Sequence, residues 1–127
     1  MTPKDLTPEL ARAKWVTALR SGKYKQTKHH LADDNGFCCL GVACEVYTRY
    51  HPLEKAFALE FFSQSIVFYA GESMKLPFIV MKWLGLRTPV GSYGGNLSLT
   101  VDNDLGKTFA EIANIIESEP EGLLNEA

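Results

Sequence analysis

Asn35-Gly36-Phe37-Cys38-Cys39-Leu40-Gly41-Val42-Ala43-Cys44-Glu45-Val46-Tyr47-Thr48-Arg49 is the stretch whose reading decides the fold. It follows Asp33-Asp34, so Asp34-Asn35-Gly36 gives a strong turn signal. All 3 cysteines of the chain fall within it. Beyond the turn the pattern becomes helical: Leu40, Ala43, Cys44 and Tyr47 share one face, Val42 and Val46 another. A helix is therefore expected from about Cys39, ending by Pro52, because a residue before proline avoids helical angles. Upstream, Lys23–Ala32 reads as the first strand of a β-hairpin whose second strand is Phe37–Cys39.

Working outward, Thr7-Pro8-Glu9 is a helix start, with a capping threonine, a first-turn proline and an acid at the positive end of the dipole. Ala11, Trp15, Ala18 and Leu19 form its apolar stripe, with Trp15 as a core anchor, and Gly22 marks its end. Pro52–Phe62 reads as a further short helix with Phe57, Phe61 and Phe62 on its apolar side. Ser65–Tyr69, β-branched and aromatic, reads as a strand before the Ala70-Gly71 turn. Leu76–Gly85 has proline just inside and glycine just past a helix-length run that is apolar nearly all round. So wide an apolar surface implies self-association through part of Phe78–Leu84. Arg87–Asn96 is a loop, and the alternation of Leu97, Leu99 and Val101 suggests a short strand. Thr108-Phe109-Ala110-Glu111 is a capping box, followed by Ile112, Ala113 and Ile116 at helical spacing. Residues from about 118 to 127 read as a frayed tail.

These elements make a compact single-domain α+β fold spanning residues 1–127. It has four helices, five if residues 52–62 form one, and a small antiparallel sheet. The chain has 127 residues, of which 46% are hydrophobic, enough for one domain with a real core. No apolar run approaches the roughly 18 residues of a membrane span, and Met1–Asp5 has no apolar signal core. A cytoplasmic protein with reduced thiols and no membrane partner is expected.

The net charge is −2, but its distribution is uneven. Between Leu10 and Ala32 there is no acid, while Arg12, Lys14, Arg20, Lys23, Lys25 and Lys28 are basic. Glu111, Glu117, Glu119, Glu121 and Glu126 face only Lys107 at the other end. The plain reading is attraction between the two ends, or between copies of the chain. The sharper reading is an anion site at Arg20, Lys23 and Lys25, where a helix end, the Gly22 bend and a strand meet, with Tyr24 turned toward the core or a ligand.

The residues also offer the elements of other chemistries. A catalytic Cys38 or Cys39 at a helix N-terminus, with His29 or His30 as base across the hairpin turn, has the residue types of a thiol nucleophile. The plainer reading is that the cysteines are buried packing groups. His29, His30 and the cysteines also contain metal-ligating elements, but without a Cys-x-x-Cys pair; no metal and no cofactor is expected. Gly106-Lys107-Thr108 and Asp102-Asn103-Asp104 echo a phosphate loop and a calcium loop. Val101 stands where the first needs its glycine, and Ala113 where the second needs its glutamate.

Three segments carry a family resemblance: Lys14–Gln26, Gly36–Val46 and Asn103–Ala113, with Leu76–Leu86 as a fourth, weaker one. Their pattern of Arg20-Ser21-Gly22-x-Tyr24-x-Gln26, Cys38-Cys39-Leu40-Gly41-Val42-x-Cys44 and Asn103-Asp104-x-Gly106-x-Thr108-Phe109-x-Glu111-Ile112-Ala113 resembles a family of small uncharacterised proteins of bacteriophages, prophages and bacteria. The resemblance spans the chain apart from residues 50–70, and His29 and His30 stand outside it. It implies a non-catalytic binding protein, an inhibitor of a host factor or host defence, acting on a host protein or a nucleotide-like, phosphate-bearing ligand. Sequence-specific nucleic-acid binding is not expected. The alternative is a cysteine-dependent hydrolase or transferase using Cys38 or Cys39.

Overall fold

Helix α1, Pro8–Arg20, forms as its sequence signals imply. The Thr7 hydroxyl accepts from the Leu10 N–H at 3.2 Å, Pro8 opens the first turn, and Ser21 closes the last by donating to the Ala18 carbonyl. Gly22, at φ 75°, then redirects the chain. The computed structural model describes residues 6–52, 54, 58–61 and 65–125.

The hairpin is shorter than expected. Strands β1 (Ala32–Asp33) and β2 (Gly36–Phe37) pair across the Asp34-Asn35 turn, but Lys23–Leu31 is not a strand. That segment runs beside Phe37 through one parallel bridge at Gln26, held by Thr27 N–H to Phe37 O and Phe37 N–H to Lys25 O, both 2.8 Å. Its polar run offers no alternating apolar face to hold a longer antiparallel pairing. Helix α2, Cys39–Tyr50, follows at once, with Cys38 as its N-cap residue.

The described residues 58–61 do not form the expected helix. Ala58–Phe61 is strand β3, paired along its length with β4, Ile66–Tyr69, from Ala58 opposite Tyr69 to Phe61 opposite Ile66. The expected apolar position at Phe57, and Phe62, lie outside the described residues. Leu59 and Phe61, alternating with Ala58 and Glu60, suit a strand once β4 offers an edge. β4 also pairs with β1, giving an antiparallel sheet in the order β2-β1-β4-β3.

Helix α3, Phe78–Leu84, stops at Gly85 in the left-handed region, φ 72°. β5 (Ser92–Tyr93) and β6 (Leu97–Ser98) then form a small hairpin inside the glycine-rich loop. The expected strand over Leu97–Val101 ends at Ser98, whose hydroxyl accepts from Val101 N–H at 3.1 Å and starts helix α4, Leu99–Asp104. The fifth helix is therefore this one. Helix α5, Phe109–Ser118, carries the full capping box between Thr108 and Glu111.

The segment after α5 is not frayed as far as Asn125. Leu123 is fully buried, Leu124 bridges Leu86, and backbone N–H groups of Gly94, Arg87 and Asn125 bond to Glu121, Leu123 and Gly85. The core lies between α1, α2, α4 and α5, around the buried Trp15, Leu31, Leu40, Leu99 and Ile112. The Trp15 indole N–H donates to the Cys39 carbonyl at 2.9 Å and fixes the start of α2 against α1. Among the described residues no helix is long and apolar enough to cross a membrane.

Candidate functional site

The start of α2 is the most connected polar point of the fold, and its hub is Asn103 on α4. Asn103 is fully buried. Its Oδ1 accepts from the Cys39 N–H at 3.1 Å and from Gln26 Nε2 at 2.8 Å, while its Nδ2 donates to the Thr27 carbonyl at 2.8 Å. One amide side chain thus satisfies an orphan N–H of the helix and ties the 24–30 segment down. On the other side of α4 the buried Asp102 accepts from the Tyr93 hydroxyl, and burial pushes that phenol up to about 12.

All three cysteines are free and buried here. A helix N-terminus should lower a thiol pKa, but Cys38 is pushed up to about 11, because burial outweighs the nearby Leu40 and Gly41 N–H groups. Burial drives Cys39 and Cys44 well above the ordinary thiol value as well. Cys39 Sγ lies 3.6 Å from the Leu99 carbonyl, a packing contact with weak donor character. The two histidines are placed differently. His29, in the left-handed region at φ 75°, donates its backbone N–H to Asp104 Oδ1 at 3.0 Å, and its Nδ1 lies 3.5 Å from Asp104 Oδ2. His30 Nδ1 is enclosed with no hydrogen-bond partner among the described residues. Among the described residues no group of three His, Cys, Asp or Glu side chains is arranged to hold a metal ion.

The candidate binding residues are drawn to different partners. Arg20 Nη2 turns onto α5, 2.8 Å from Glu117 Oε1 and 2.6 Å from Asn114 Oδ1. The pair holds the Glu117 carboxyl below the usual carboxylate range. Lys23 and Lys25 are exposed; Tyr24 between them is half-buried, its ring edge-on to Phe37 at 5.3 Å and its hydroxyl accepting from Arg49. Tyr24 therefore props the segment against the hairpin. The positive charge left facing solvent at this corner is carried by the two lysines.

Two further surface features stand out, and only the second has a counterpart in the sequence reading. A groove of about 570 Å³ runs between α1 and α5, lined on the α1 side by Glu9, Arg12, Val16 and Arg20 and on the α5 side by Ile116 and Glu119. Helical spacing places Arg12, Val16 and Arg20 on one face of α1, so the signal was present but hidden within the basic run. The second feature is α3. Val80 and Leu84 are buried, whereas Phe78 and Ile79, with Met74 just before the helix, are 69%, 47% and 63% exposed. The run that reads as apolar all round thus buries one side and leaves the other open.

The fold and this site define a small α+β domain with neutral, packed thiols and an open apolar helix face. The chain belongs to the family described as a domain of unknown function, DUF8296, whose model matches residues 8–120, from the first residue of α1 to just past α5. No curated protein and no solved structure matches the chain.

Proposed function

We propose that this is a non-catalytic binding protein of phage or prophage type that acts by docking onto a host protein, as an inhibitor of a host factor or host defence. The observation that carries the reading is the exposed apolar set Met74, Phe78 and Ile79. Large apolar side chains exposed on a helix, as Phe78 and Ile79 are with Met74 just before it, are what a protein interface uses as anchors. Lys75 and Lys82 are exposed beside them, with Lys82 Nζ 5.4 Å from the centre of the Phe78 ring, so the face favours a partner that is apolar with an acidic rim. The raised thiol pKa values support binding over cysteine catalysis, since the thiolate is the nucleophile. A phosphate-bearing ligand at the Arg20 corner is the weaker reading, because Arg20 is engaged by Glu117 and Asn114. The remaining lysines are hydrated point charges without a fork geometry.

The test is affinity capture from host lysate with the native protein, Phe78→Glu, and Val101→Glu as a control at a separate exposed apolar position. A single partner retained by the native protein and the control but lost with Phe78→Glu supports the reading. Equal capture by all three, or none by the native protein, refutes it. Light scattering on the same proteins separates self-association through this face, which would give a dimeric mass abolished by Phe78→Glu.

A further inference from the structure

Arg12 is a charged side chain that the fold buries without a counter-charge among the described residues. It is 8% exposed. Its Nη1 donates to the Leu84 carbonyl at 2.8 Å, and among the described residues that is its one hydrogen bond. The ion pairs among those residues are Arg20 with Glu117 and His29 with Asp104; Arg12 is in neither. Buried guanidinium groups are ordinarily matched by a carboxylate, because removing the charge from water is costly. The other nitrogens of Arg12 are not sealed in the interior: among the described residues the fully enclosed unpartnered side-chain atoms are His30 Nδ1 and Trp83 Nε1. Arg12 is also one of the residues that line the α1–α5 groove. A guanidinium has five N–H donors in a planar fork, so most of its capacity is left for a group in that groove.

The rest of the lining restricts what that group belongs to. Val16 and Ile116 give an apolar floor. Glu9 and Glu119 line the groove too, both exposed and neither ion-paired among the described residues. Glu119 is held in the left-handed region at φ 48°, an unfavourable setting for a non-glycine residue. A phosphate, at about −1.5 to −2, would meet too many carboxylates here. Arg20 and Glu117, which also line the groove, pair with each other; a single carboxylate on Arg12, joined through an apolar body to an ammonium near Glu9 or Glu119, sets opposite charges together at both ends.

We propose that the α1–α5 groove is a binding site for a short free peptide, its terminal carboxylate on Arg12, its aliphatic side chains on Val16 and Ile116, and its ammonium toward Glu9 or Glu119. A groove of about 570 Å³ falls in the range of small-ligand sites. The site is separate from the α3 face and stands or falls independently of it.

The test is calorimetric titration at low salt with the dipeptide Leu-Leu, its N-acetyl form, its C-terminal amide and inorganic phosphate. The free dipeptide is expected to bind, and removal of either charge to weaken it about tenfold or more. Arg12→Lys keeps the charge but loses the fork, and is expected to weaken binding by a similar factor. Arg12 also holds Leu84, so Ala13→Trp serves as a second variant: it fills the groove from an exposed helix position and should abolish binding while circular dichroism stays native. Failure of the free dipeptide to bind overturns the proposal. So does equal binding of the amide, phosphate binding as tight as the dipeptide, or native affinity in folded Ala13→Trp.

Discussion

Replacing Gly41 with alanine sets two rules of protein stability against each other. Gly41 lies in the first turn of α2, and helix propensity alone favours alanine over glycine by about 1 kcal/mol in a helix interior. Packing says the reverse. A Cβ at Gly41 would lie 1.7 Å from the Leu31 carbonyl oxygen, whereas ordinary contact begins near 3.4 Å. The obstruction is backbone, not the end of a flexible side chain. Helix and segment must therefore separate, and Leu31 O is also the acceptor for Cys38 N–H at 3.1 Å. Breaking that bond leaves a buried donor and acceptor, at about 1–3 kcal/mol for each unsatisfied group. Overpacking strain adds about 1–3 kcal/mol. The net expectation is a loss of about 3 kcal/mol or more, a large part of the ~5–15 kcal/mol typical of a domain. Urea unfolding followed by circular dichroism, with the denaturant slope held as a check on two-state behaviour, measures it. A Gly41→Ala protein as stable as the native one would refute the close approach of α2 to Leu31, and with it the placement of the helix start.

Asn103→Ala should cost about 2–4 kcal/mol in the same assay, because it strips the acceptor from Cys39 N–H and the donor from the Thr27 carbonyl in a buried site; a loss below about 0.5 kcal/mol, the scale of an ordinary surface substitution, would show that the hub is not structural. The three thiols should resist alkylation at pH 8 in the native protein and all react in denaturant, whereas rapid labelling of one native cysteine would revive the nucleophile reading. Cys38 also sets a pH dependence. Its folded value is raised, about 11 against 9.0, so its contribution to stability is complete below about 9 and is lost as pH rises toward 11; unfolding midpoints that rise across that window would contradict it.

What could be read from the sequence is what is decided within a few residues. Thr7 with Pro8, Thr108 with Glu111, and Gly85 past α3 are complete local signals, and each forms where it stands. The Leu97–Val101 segment shows the limit. Its alternation fits a strand, and the competing signal is one hydroxyl, Ser98, three residues before the N–H it caps. Residues 58–61 became a strand because β4 offered an edge, and no local feature announces that pairing. The site is less legible still, since its geometry joins residues far apart in sequence. The basic helix and acidic C-terminal segment meet through Arg20 and Glu117, which turns the apparent anion corner into an internal tie. Arg12, one of six cations in the basic run, differs from the others because the fold buries it without a carboxylate among the described residues. Charge counted along a chain cannot reveal this, because an unpaired cation is defined by what the folded chain fails to bring near it. The functional question therefore turns on the residues whose charge or apolar surface is left unmatched among the described residues: Arg12 in the groove, and Phe78 and Ile79 on α3.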